Sequence, residues 1–153
     1  MMFTKAFTSF MCVYLASTWT ILGVTSRYVD NELKPYVDEY YRKVEANCNN
    51  NQYNSSIFYQ VVFKPQQEEY IAVCYYKVNG YKIEVDPEWW NRPSTTEADR
   101  IQLMNHELSH CVLNLDHRDD PQDYMFPSFV RLNPKVVDAQ LYQDISNICD
   151  TAP

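Results

Sequence analysis

Over residues 31–47 apolar side chains recur three to four positions apart, at Leu33, Val37, Tyr40, Tyr41 and Val44. That period is helical, and Pro35 falls early enough to be tolerated in the first turn. After Ser55 the period shortens to two, and the runs 57–64, 70–78 and 81–86 read as strands. Between the last two runs, Asn79-Gly80 has the composition of a two-residue hairpin turn of the I′ type, which needs positive φ at both positions. Centring the hairpin there opposes Val78 to Tyr81, Tyr76 to Ile83 and Cys74 to Val85. One face then carries Cys74, Tyr76, Val78, Tyr81, Ile83 and Val85, and the other carries Lys77, Lys82, Glu84 and Asp86. The apolar face is the core side.

Pro87 to Pro93, with Trp89 and Trp90, reads as a loop into the next helix. Ser94-Thr95-Thr96-Glu97 has the form of a capping box, so that helix is expected to run from Thr95 to about Leu113. Ile101, Met104, Leu108, Cys111 and Leu115 form its buried stripe, with His106 and His110 nearly opposite Leu108. Pro134 opens a last helix over residues 135–148, with Val136, Val137, Leu141, Ile145 and Ile148 on its apolar side. The pattern predicts an α+β fold. A small, mostly antiparallel sheet packs on the histidine-bearing helix, with an N-terminal helix before it and a C-terminal helix behind.

Residues 1–26 do not fit that pattern: a single charge, Lys5, precedes one long apolar run over residues 6–24 interspersed with Ser and Thr. This reads as a signal peptide cleaved before Arg27, the alternative being a signal anchor retained through residues 6–24. The remaining residues, 27–153, form one domain; at 153 residues and 46% hydrophobic content the chain can bury a real core. The protein is accordingly expected to be a secreted or periplasmic monomer that meets a membrane only if the anchor is retained. A net charge of -7 with no basic cluster excludes nucleic acid as a partner.

Cleavage would leave Cys48, Cys74, Cys111 and Cys149, an even number that in an exported chain predicts two disulfides. Cys74 lies on the core face of the hairpin and Cys111 on the buried stripe of the helix. Two cysteines pointing into one core predict a Cys74–Cys111 bridge, leaving Cys48 to pair with Cys149 between the first and last helices.

The chemistry concentrates in His106-Glu107-Leu108-Ser109-His110. Residues four apart share a helix face about 6 Å apart, so both imidazoles can offer a nitrogen to one Zn²⁺. Glu107 is one step round the helix, badly placed to ligate but able to reach a water at the metal and take its proton. A third ligand requires the helix to stop, because on a continuous helix His117 would lie about 10 Å further along the axis. Asn114 supplies the stop, being tolerant of the left-handed conformation. Either Asp116 or His117 can then swing under the metal; neutral imidazole suits Zn²⁺, which favours His117.

Together with Asp123-Tyr124-Met125-Phe126, these residues resemble the metzincin clan of zinc metallopeptidases, in particular its small matrixin-like secreted members. In that clan an extended H-E-x-x-H-x-x-G-x-x-H motif is followed by a methionine turn, and the resemblance spans roughly Trp89 to Phe129. It implies that Met125 is the turn methionine, with a mixed sheet whose edge strand lines a peptide-binding cleft. Asn114 stands in for the motif's glycine. One extra residue after His110 means that strict motif spacing selects Asp116, whereas the local sequence selects His117. The leading expectation is a zinc-dependent endopeptidase acting on a peptide or protein substrate, with Glu107 as general base. A non-catalytic zinc-stabilised binding protein and a peptidoglycan cross-link peptidase are the alternatives. Tyr124 could hydrogen-bond an oxyanion, though ordinary packing is its simpler role.

Overall fold

A computed structural model describes residues 27–48, 58–67 and 70–150. The segment read as a signal peptide, residues 1–26, lies outside the described residues, as does Ile57. The elements in chain order are β1 (Arg27–Val29), α1 (Lys34–Asn47), β2 (Phe58–Phe63), β3 (Ala72–Lys77), β4 (Gly80–Val85), α2 (Pro87–Trp90), α3 (Glu97–Leu113) and α4 (Pro134–Asp150). The fold is α+β. Its sheet is mixed rather than mostly antiparallel: the order is β1-β2-β4-β3, with β1, β2 and β4 parallel and only β3 antiparallel, at an edge. No described helix is long and apolar enough to cross a membrane.

The hairpin keeps its predicted side-chain alternation but not its predicted register, and burial departs from the predicted faces at Tyr76, 54% exposed where the core side was expected, and at Glu84, 4% exposed where the outer side was expected. Tyr76 pairs with Tyr81 and Cys74 with Ile83, two positions from the expected partners, so side-chain alternation is preserved. Lys77 pairs with Gly80, leaving Val78 and Asn79 at the turn, with Val78 80% exposed instead of on the core face. The turn is not of the I′ type either, because Asn114 alone among the described residues has positive φ. Gly80 answers a different demand: a Cβ there would lie 2.0 Å from the carbonyl oxygen of Phe58 on the parallel neighbour β2. Only glycine admits that approach.

Helix α1 starts at Lys34, three residues later than the period suggested, with Pro35 in its first turn and Val37, Tyr40 and Val44 buried. The expected loop at Trp89-Trp90 is the short helix α2, capped by Asp86, whose carboxylate accepts the Glu88 N–H. The capping box of α3 sits two residues downstream of the predicted one. Thr96 accepts the Asp99 N–H, and Asp99 returns a bond from the Thr96 N–H at 2.7 Å. Thr95 instead donates its hydroxyl to the Trp89 carbonyl at 2.7 Å.

Helix α3 is the centre of the molecule, packed against β3 and β4 on one side and against α1 and α4 on others. Its burial is therefore wider than a single stripe: Leu103, Val112, Leu113 and Ser109 are buried along with Met104, Leu108 and Cys111, whereas Ile101 is 36% exposed and Leu115 lies beyond the helix end. Along α4, Val137, Leu141 and Ile145 are buried, and Val136 faces outward. The structure joins Cys48 to Cys149, with Cα atoms 5.0 Å apart, tying α1 to α4. It joins Cys74 to Cys111 with Cα atoms 6.0 Å apart, tying the edge strand to α3.

Candidate metal centre

The chain has three histidines, and all of them meet at the C-terminal end of α3. His106 and His110, four apart on the helix, bring their Nε2 atoms to 3.0 Å. The helix then stops at Asn114 in the left-handed conformation (φ 56°, ψ 40°), its N–H and that of Leu115 both turning back to the Ser109 carbonyl. That reversal returns His117 to the helix, with its Nε2 3.3 Å from that of His106. Ring nitrogens of all three lie within 4.8 Å of one another, a group that could hold a metal ion. Asp116, which strict motif spacing selected, is outside this group and exposed.

Backbone carbonyls fix the tautomers of two rings. His106 Nδ1 bonds the Tyr124 carbonyl at 2.8 Å and His110 Nδ1 bonds the Leu115 carbonyl at 2.5 Å. A carbonyl only accepts, so Nδ1 carries the proton in both and each Nε2 keeps a lone pair directed at the shared point. Burial pushes the His106 pKa down to about 4, against the pull of the Tyr124 carbonyl and with help from its two histidine neighbours. His110 is lowered too, again chiefly by burial. Both rings are neutral donors at neutral pH.

Glu107 is buried, 5% exposed, on the wall of a cleft of about 470 Å³. Desolvation raises its pKa to about 8, opposed by a hydrogen bond from the backbone N–H of Cys74 on β3. The cleft runs between that edge strand (Tyr70 to Cys74, and Tyr76) and the segment from Phe126 to Phe129, with the three histidines in its floor.

Met125 lies in a tight turn beside this floor. Asp123 Oδ1 accepts the Met125 N–H at 2.8 Å, its carbonyl accepts the Phe126 N–H, and the Met125 side chain is fully buried. Tyr124 is 2% exposed; its hydroxyl donates to Asp144 at 2.9 Å and shares a 3.0 Å bond with Ser109, which in turn meets the Tyr40 hydroxyl. Its hydroxyl is thus committed to packing and not to the cleft.

Two features escaped sequence reasoning. Arg118, directly after His117, bridges Asp123 at 2.9 Å and Asp144 of α4 at 2.5 Å, while its N–H donates to the Met125 carbonyl. The one trace of this network in the sequence is a carboxylate, Asp144, between Leu141 and Ile145 on the buried side of α4. The Tyr76 hydroxyl donates to the His110 carbonyl, an acceptor that the turn at Asn114 deprives of its helical partner. Comparison with protein-family models, with curated proteins and with solved structures found no match.

Proposed function

We propose that this chain is an exported, monomeric zinc-dependent endopeptidase of the metzincin type, hydrolysing peptide bonds with Glu107 as general base. The observation that carries this reading is the convergence of His106, His110 and His117 beside a buried carboxylate on the wall of a cleft of about 470 Å³. Zinc suits the donor set: with Zn–N bonds of about 2.0–2.1 Å, tetrahedral ligands stand about 3.3 Å apart. The Nε2 atoms of His110 and His117 stand 3.0 and 3.3 Å from that of His106, and one ring nitrogen from each of the three lies within 4.8 Å of the others. Helical spacing, a left-handed stop, a buried methionine in a turn and a mixed sheet with its edge strand on the cleft all support the metzincin resemblance. Disulfides across the fold support an oxidising compartment.

When bound, zinc supplies Lewis acidity that polarises a scissile carbonyl and acidifies water. The protein supplies the rest. An extended peptide can pair with the free edge of β3, which aligns its backbone across the histidines. Glu107, on the cleft wall beside the histidines, takes a proton from the attacking water and delivers it to the leaving amine.

Metal analysis of the mature chain and of Glu107→Gln, with both assayed on casein and on peptidoglycan, tests the proposal. About one zinc per chain is expected in each protein, with hydrolysis lowered on the order of a thousandfold in the variant. Equal hydrolysis by the two proteins refutes Glu107 as the base. Zinc without hydrolysis of any substrate favours a zinc-stabilised binding protein, and cleavage of peptidoglycan alone favours cell-wall cross-links as the substrate.

A further inference from the structure

The cleft holds a charge that neither the metal ligands nor the general base accounts for. Its described lining contains the carboxylates of Glu107, Asp116 and Asp123 and no lysine or arginine. Asp123 is ion-paired with Arg118 at 2.9 Å, and Glu107 is buried. Asp116 is exposed and makes no ion pair among the described residues.

Its position is set from two sides. The Asn114 reversal and the Leu115–His110 bond hold residues 115–117 against the end of α3. Opposite stands Tyr76, the last cleft-lining residue of β3, with its hydroxyl on the His110 carbonyl and 54% of its surface open. Both residues line the cleft next to His110: the Tyr76 hydroxyl meets its carbonyl, and Leu115, the neighbour of Asp116, accepts from its ring. A carboxylate beside an open aromatic ring recognises an ammonium or guanidinium group, through an ion pair and a cation–π contact together.

We propose that Asp116 and Tyr76 form a subsite for a Lys or Arg side chain of an extended peptide substrate, at one position within two residues of the scissile bond. This rests on the peptidase reading above. The position follows from β3: Tyr76 is two residues beyond Cys74, which is bridged to Cys111 next to His110, and two strand residues span about 7 Å. A peptide paired along that edge advances by one same-facing side chain over that distance.

The zinc-loaded enzyme tests this with a peptide series in which one Lys is walked from three residues before to three after the cleaved bond. Each peptide is compared with its norleucine counterpart by kcat/KM. At one position within two residues of the bond, Lys is expected to be favoured about fivefold, an advantage that shrinks as salt rises from about 0.05 to about 0.5 M. In Asp116→Asn that Lys-to-norleucine ratio falls to near one, in Asp116→Lys a Glu peptide becomes preferred, and Tyr76→Leu lowers the ratio about twofold. Zinc content of each variant, measured alongside, separates loss of the fold from loss of preference. Cleavage with no Lys preference at any position, or a preference unchanged in Asp116→Asn, overturns the proposal while leaving the peptidase intact. Failure of the parent enzyme to cleave both the peptide series and casein overturns the peptidase reading, and the subsite with it.

Discussion

Asp144→Ala removes from α4 a carboxylate that is 6% exposed and accepts two hydrogen bonds, from Arg118 at 2.5 Å and from the Tyr124 hydroxyl at 2.9 Å. A hydrogen bond to a charged acceptor contributes about 1.5–3 kcal/mol. Here the low end applies, because both donors keep another partner. Arg118 retains Asp123 and has a side chain 35% exposed, so its freed nitrogen reaches water; the Tyr124 hydroxyl retains Ser109. The expected loss of stability is therefore about 3 kcal/mol, read by urea unfolding of chelator-treated protein. Asp144→Asn, which keeps an acceptor for Tyr124, should lose about half of that.

The same substitution should reach the metal. Tyr124 holds His106 by its carbonyl, and the Arg118 backbone next to His117 is bonded to Met125. Loosening partners that orient ligands lowers metal affinity by about 10–100-fold; because Asp144 acts one bond further out, about tenfold is expected. Competitive titration against a zinc indicator measures it. Helix α4 stays anchored to α1 by Cys48–Cys149 and by the Lys43–Asp138 pair at 2.8 Å, so the variant remains folded. Zinc affinity within a factor of two of the parent, alongside the loss of stability, would refute the reasoning, because the network would then serve only to dock α4.

His117→Ala is expected to weaken zinc binding at least a hundredfold and Asp116→Ala severalfold at most, because only the former belongs to the converging group; the opposite order in the same titration would restore strict motif spacing as the guide. In metal-free protein the folded pKa of Glu107, about 8, lies above its unfolded value, so its contribution to stability is present at low pH and lost as pH rises from about 4.5 through 8. Relative to Glu107→Gln, the parent should thus lose up to about 5 kcal/mol across that range in urea unfolding, and parallel curves would show the carboxylate to be hydrated and ionised. Replacing Cys74 and Cys111 together by alanine opens a loop of 37 residues; the chain-entropy relation gives a loss of about 4 kcal/mol, and unchanged unfolding would show that this bridge constrains nothing.

What the sequence disclosed follows from how local each rule is. His106 and His110 depend on helical spacing, and the return of His117 depends on one residue, Asn114, adopting a conformation that its neighbours cannot easily share. Both rules operate within a dozen residues. The hairpin shows where locality fails. Asn79-Gly80 looks like a turn, yet Gly80 is required by the carbonyl of Phe58, twenty-two positions away and on a strand whose parallel pairing no local pattern announces. Strand β1 is too short to show a period, and it pairs with β2 across α1. The Arg118 network is less visible still. An exposed-looking charge run after His117 gives no hint that one of its members clamps a helix twenty-six residues later.

The disulfide pattern was legible for a reason that outlived the error in register. A slip of two residues leaves every strand side chain on its own face, so Cys74 stays on the side of β3 that meets α3 whether it pairs with Val85, as expected, or with Ile83, as found. Its position on that seam also explains why the bridge lies where it does. Within three residues, β3 gives α3 a covalent tie through Cys74, an N–H for Glu107 from the same residue and a hydroxyl for the orphaned His110 carbonyl from Tyr76. An edge strand has one unpaired side, and the peptide pairing proposed above requires that no other strand cover it. The tie to α3 holds the edge in place through side chains instead, and among the described residues no strand pairs with the outer side of β3.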